Sequence, residues 1–214
     1  MTSVRLRRLR SLPIAAAGLL IAVMLLGTAP PEHTDADTDT DAGSLAGQIL
    51  IAAPTMGDPR FFHTVILLLR HDRNGAFGIV INRPIEQRTI KSLLEGSGEQ
   101  AAEVEGSLLV FAGGPVQPEL GFVVHSIEYR RPDTLAVGEV AMTADKDILR
   151  DIGRHQGPKK SLFALGYAGW GPGQLEDEID HHDWFTTTAD PKLIFDDDRG
   201  NLWDEAMARR TREL

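Results

Sequence analysis

The run Val65-Ile66-Leu67-Leu68-Leu69 restricts the fold more than any other segment. Five consecutive apolar residues match a strand buried on both faces rather than one with a wet side. His71-Asp72-Arg73-Asn74-Gly75 follows, and then a second apolar run over 77–81. Asn-Gly tolerates positive φ, so the two runs read as an antiparallel hairpin.

Similar grammar continues along the chain. Residues 48–52 read as a strand stopped by Pro54, and 108–111 and 121–124 as strands on either side of Gly113-Gly114-Pro115. A single strand is expected over 135–142 and another over 161–165, entering Gly166-Tyr167-Ala168-Gly169-Trp170; 184–187 is a further strand. Helices are expected over 89–95, from a cap at Thr143 or Asp145 to His155, and over 173–179, 191–195 and 202–210. Strands follow strands without regular βαβ alternation. This predicts an α+β fold with a mixed, largely antiparallel sheet.

The first 46 residues obey other rules. Arg5, Arg7, Arg8 and Arg10 precede an apolar run over 14–26, the pattern of a secretory signal. A helix over 12–29 would span about 27 Å, close to the thickness of a bilayer's hydrocarbon. Residues 1–29 therefore read as a signal peptide or, by preference, a membrane anchor. The bases on its amino-terminal side would leave the domain outside the cytoplasm. The alternatives are an exported protein with a cleaved leader, or a cytoplasmic one whose start is misassigned. Residues 30–46, with Asp35, Asp37, Asp39 and Asp41, cannot bury enough apolar surface to fold and read as an acidic linker. The folded domain is expected over 47–214.

Composition excludes several functions. The 214 residues contain no cysteine, which removes disulfides, thiolate metal sites and thiol catalysis. Residues 44–214 carry 18 Lys and Arg against 26 Asp and Glu, a net charge near −8. With only short basic pairs such as Arg130-Arg131 and Lys159-Lys160, direct nucleic-acid binding is not expected. Glu176, Asp177, Glu178, Asp180, His181, His182 and Asp183 form the densest polar cluster. Carboxylates with imidazoles suit a divalent ion and would support a metal-dependent hydrolase. On a helix, however, Glu176 and Asp180 face one way and Asp177 and His181 another, so a solvated helix end is favoured. Gly113-Gly114-Pro115 lacks the Lys and Ser/Thr of a phosphate loop and reads as a tight turn. His125 and His63 read as satisfied histidines beside strands. No catalytic set, cofactor site or metal site is expected.

These pieces, taken in order, resemble the YqgE/AlgH family of bacterial proteins. The resemblance rests on Asp58-Pro59 with Phe61, Asn74-Gly75-Ala76, Asn82-Arg83-Pro84, Gly113-Gly114-Pro115-Val116, the block Ala164–Trp170, Gly173-Gln174-Leu175-Glu176, Trp184 and Trp203. It implies a bent, bifurcated sheet curling towards a pseudo-barrel with helices outside. It implies no settled activity, although some members carry the label of transcriptional regulator. His182 stands where the family usually has Asn. The favoured reading is a non-enzymatic regulatory or interaction protein, tethered to the membrane by its amino-terminal helix and serving an unidentified protein partner. Its expected working surface gathers Asn82, Gly113, Gly114, Tyr167, Trp170, Gln174 and Glu176. A cytoplasmic transcriptional regulator is the alternative.

Overall fold

The structure, a computed structural model, describes residues 43–101, 103–195 and 198–210. The expected leader, 1–29, lies outside those residues, as does the expected linker up to residue 42. The remainder of that linker is bound to the domain: Ser44 Oγ donates to the His71 carbonyl at 2.8 Å, and the Leu45 N–H donates to His71 Nδ1 at 3.0 Å. Among the described residues, no helix is long and apolar enough to cross a membrane.

The chain runs β1 (Gln48–Ala52), β2 (Val65–Asp72), β3 (Gly75–Val80), β4 (Pro84–Thr89), α1 (Ile90–Gly96), β5 (Ser107–Ala112), β6 (Val116–Ser126), β7 (Leu135–Val137) and β8 (Val140–Thr143). It continues through α2 (Asp147–Gly153), β9 (Ser161–Trp170), α3 (Gln174–Asp180), β10 (Trp184–Thr188), α4 (Pro191–Ile194) and α5 (Leu202–Arg209). The strands form one curled sheet in the order β10-β1-β2-β3-β9-β6-β8-β7, with β4 and β5 branching from β9. The sheet is antiparallel except where β5 runs parallel to β9. This is the α+β half-barrel with flanking helices that the resemblance implies.

Strand β9 is where the sheet divides. Its first half lies between β6 and β5, whereas residues 168–170 pair with β3. The change of partner falls at Gly166, whose φ of +72° turns the strand. A Cβ at that position would meet the Gly114 carbonyl oxygen at 2.5 Å, so only glycine allows the two chain segments to approach.

Alternation along β1 and β2 builds two cores. Ile49, Ile51, Val65 and Leu67 face one side, covered by Leu193 and Ile194 of α4 and Leu202 and Ala206 of α5. Leu50, Ala52, Ile66 and Leu68 face the other, against Trp170, Trp184 and Leu175 of α3. The doubly buried β2 foreseen from its apolar run is therefore real: residues 65–69 are all buried. A third cluster packs α1 and α2 on Val110, Val123 and Phe163. Thr89 caps α1 by accepting the Ser92 N–H at 3.1 Å, which satisfies a donor that the first turn leaves without a partner.

Two elements depart from the sequence reading. Residues 135–142 are not one strand but the hairpin β7–β8, broken where Gly138 takes a φ of +56°. Strand β4, with the sequence PIEQRT, was not foreseen because five of its six residues are exposed and it has no apolar alternation.

Candidate functional site

Three glycines shape the surface around Tyr167. A Cβ on Gly113 would lie 2.3 Å from the Gly166 oxygen, and one on Gly114 would lie 2.1 Å from the Tyr167 carbonyl carbon. The Gly113-Gly114 turn is thus pressed flat against the kink in β9. This is a backbone contact, with the Gly113 N–H donating to Leu165 O at 2.7 Å, not a cradle for phosphate. Tyr167 beyond the kink meets Phe77 at a ring-centroid distance of 4.9 Å and Phe122 at 6.0 Å. These rings, with Trp170, Arg70 and Gln117, border an open cavity of about 630 Å³. Arg70 is exposed, and its Nε stands 3.9 Å from Asp72, a loose pairing that leaves the guanidinium available to an incoming anion. Gln117 holds a left-handed φ of +47° at the cavity edge, a conformation that costs a non-glycine residue energy.

Two carboxylates of the acidic helix α3 are engaged in packing contacts. One Glu178 oxygen, Oε2, accepts the indole N–H of Trp170 at 2.8 Å and that of Trp184 at 2.7 Å, while Oε1 accepts from Gln174 Nε2 at 2.8 Å. Glu176 is used elsewhere. Its Oε1 lies 2.9 Å from Nε2 of the buried His71. Because His71 Nδ1 accepts the Leu45 N–H, Nε2 must carry the proton and donate to Glu176. Among the described residues, no group of three or more His, Asp or Glu side chains is placed to hold a metal ion.

The seven residues expected to form one surface therefore occupy different places. Tyr167 and Trp170 both border the cavity, but Trp170 turns its ring to the other face of β9, into the core beside Trp184, and Gly113 and Gly114 form the turn against the kink. Gln174 and Glu176 form polar contacts on α3. Asn82 bridges two backbone groups, accepting the Val65 N–H and donating to His63 O, both at 2.9 Å. Its side chain is a clamp on the entry to β2.

His125 is satisfied, as expected. Its Nδ1 faces the Ser126 carbonyl at 3.0 Å and so must donate, which leaves Nε2 to accept from Thr143 Oγ1 at 3.0 Å. Thr143 then accepts from Thr134 Oγ1 at 2.7 Å, and Thr134 accepts the Arg131 N–H at 2.8 Å. Every proton in this chain has a fixed direction. Burial is the leading cause that holds the His125 imidazole below its ordinary pKa of 6.5. His63 differs: it is exposed, with a φ of +53°, and its ring lies between Phe62 at 4.0 Å and Trp203 at 4.1 Å. Sequence reasoning missed that stack because Trp203 is far away along the chain. It also missed Arg131, which binds Asp151 at 2.9 Å and Asp147 at 3.0 Å beside the Tyr129 hydroxyl.

Comparison with known proteins agrees with this geometry. A family model described as AlgH-like matches residues 49–214. A UPF0301 protein of Caulobacter vibrioides is 44% identical over 174 residues, covering 80% of this chain and 89% of the relative. A UPF0301 protein of Thioalkalivibrio sulfidiphilus is 43% identical over 171 residues, covering 79% and 91%. The solution structure of the AlgH protein from Pseudomonas aeruginosa superposes with a TM-score of 0.67 at 39% identity, over 78% of this chain and 89% of that one. A crystal structure of protein DIP2367 from Corynebacterium diphtheriae shares the fold, with a TM-score of 0.58 at 22% identity, over 77% and 86%.

Proposed function

Since the chain belongs to the AlgH-like family, we propose that it acts without catalysis, as an interaction module that docks a protein partner at the aromatic cavity between β3, β6 and β9. One observation carries this reading: the rings of Phe77, Phe122 and Tyr167 converge at about 630 Å³ of open space beside the guanidinium of Arg70. Open aromatic concavities with a few polar groups are the usual form of binding sites. The matching chemistry is an apolar or aromatic side chain flanked by a carboxylate. The hydrogen bonds that consume Glu176 and Glu178 support a binding role over hydrolysis. The net negative charge weighs against regulation by direct DNA contact.

The basic-then-apolar leader supports a second element of the proposal, tethering at a membrane with the domain outside the cytoplasm. It rests on sequence alone.

A photoreactive phenylalanine analogue in place of Leu135, at the cavity rim, tests the docking reading in living cells. The expected result is a discrete cross-linked species that disappears with Arg70→Glu and with Tyr167→Ala. Cross-linking indifferent to both changes would remove the cavity from the function. Fractionation with sequencing of the mature amino terminus tests the tether, and a freely soluble cytoplasmic chain would refute it.

A further inference from the structure

The exposed edge of β4 has the charge pattern of a strand that pairs with itself. Within the sheet β4 bonds only to β5, so among the described residues its outer edge has no strand partner. Unpaired edges are templates for adding a strand, and proteins commonly block them with charges of one sign, proline or a bulge. Here Pro84 and the irregularity between Pro84 and Glu86 protect only the start of the strand. The remainder carries one charge of each sign, Glu86 and Arg88, two residues apart and therefore on the same face. Their side chains already approach to 3.8 Å within the strand.

A two-fold axis turns this pattern into complementarity. In an antiparallel pair of β4 strands centred on Gln87, Glu86 of each copy opposes Arg88 of the other, so both cross-strand pairs join opposite charges. Ile85, exposed at 57%, opposes Thr89 and gains cover on the other face. Any register that sets Glu86 against Glu86 loses this match. We infer that β4 is a homodimerisation edge, on which a second copy of this chain adds antiparallel about Gln87 to continue the sheet. The inference is independent of the aromatic cavity.

The absence of cysteine makes the test direct. Residues opposed in an antiparallel pair have Cα atoms roughly 4.5–5.5 Å apart, within the range of a disulfide. Gln87→Cys in the full chain, held in mild detergent at low ionic strength and oxidised with oxidised glutathione, should form a disulfide dimer at least ~10-fold faster than Arg73→Cys on the β2–β3 turn. Added Glu86→Arg, or added Arg88→Glu, should each reduce that rate about tenfold through like-charge opposition. Mixing those two chains should restore cross-linking, as should placing both changes in one chain. Added salt should slow the wild-type pairing. A Gln87→Cys rate no faster than the Arg73→Cys control, or one unmoved by charge reversal and by mixing, would overturn the proposal. Unchanged circular dichroism of each variant separates lost pairing from lost folding.

Discussion

Trp170 and Trp184 are joined through a single oxygen atom, Glu178 Oε2, which accepts both indole N–H groups while the rings meet edge to face at 5.8 Å. A carboxylate acceptor shared by two buried indoles is among the stronger local contacts in the domain. Glu178→Ala leaves both indoles without a partner and is expected to cost about 2–4 kcal/mol. Glu178→Gln retains an acceptor but loses the charge, and should cost about 1–2 kcal/mol. Urea titration followed by tryptophan emission measures both, and equal stability of the two variants would contradict the shared-acceptor account.

The kink in β9 makes a contrast between two glycines. Gly114→Ala places a methyl group 2.1 Å from backbone carbon in a conformation already at φ +153°, whereas Gly98 has φ +82° with open space around it. Gly98→Ala should therefore cost only about 1 kcal/mol of backbone strain. Gly114→Ala should abolish cooperative thermal unfolding. Similar melting temperatures for the two would show that the strands can separate at the kink.

His125 gives the domain an acid sensitivity with a defined sign. Its folded pKa is depressed below 6.5, mainly by burial. Above that ordinary value both folded and unfolded chains hold it neutral, and it contributes no pH dependence. As the pH falls from 6.5 through the folded value, the unfolded state takes up a proton that the folded state refuses, so stability is lost. His125→Gln should flatten the stability-pH curve in that interval. Denaturation midpoints at pH 7.5, 6.0 and 5.0 provide the measurement, and identical slopes for both proteins would assign the acid effect elsewhere.

The turn after α3 holds His182 at φ +62°. Asn tolerates the left-handed region better than most residues, and Gly occupies it without strain. His182→Gly should raise stability by about 0.5–1 kcal/mol. A fall in melting temperature would mean that the imidazole makes a contact worth more than the strain.

The sheet was legible in the sequence wherever burial left an apolar signature. Strand β2 announces itself because both of its faces are covered, and the β2–β3 turn because Asn74-Gly75 permits its backbone. Strand β4 was invisible for the opposite reason: a polar edge strand owes its conformation to the hydrogen bonds of its neighbour, not to its own side chains. The neighbours of the candidate surface residues were only partly legible. Tyr167 and Trp170 both border the cavity because only two residues of one strand separate them, although their side chains point to opposite faces. Asn82 and Glu176 were drawn in by proximity to recognisable motifs, but their partners, His63 and His71, come from distant segments. Hydrogen bonds of that range leave no periodic trace along the chain.

Strand β9 is hydrogen-bonded to β3, β5 and β6 at once, although it begins at Ser161. During synthesis the β2–β3 hairpin can close early, but the two arms of the sheet lack their shared strand until residue 170 has emerged from the ribosome. Nascent chains of intermediate length therefore present unfinished apolar strands to the cell. The demand for chaperone protection should peak over that interval and drop sharply once the last strand of the junction is inserted.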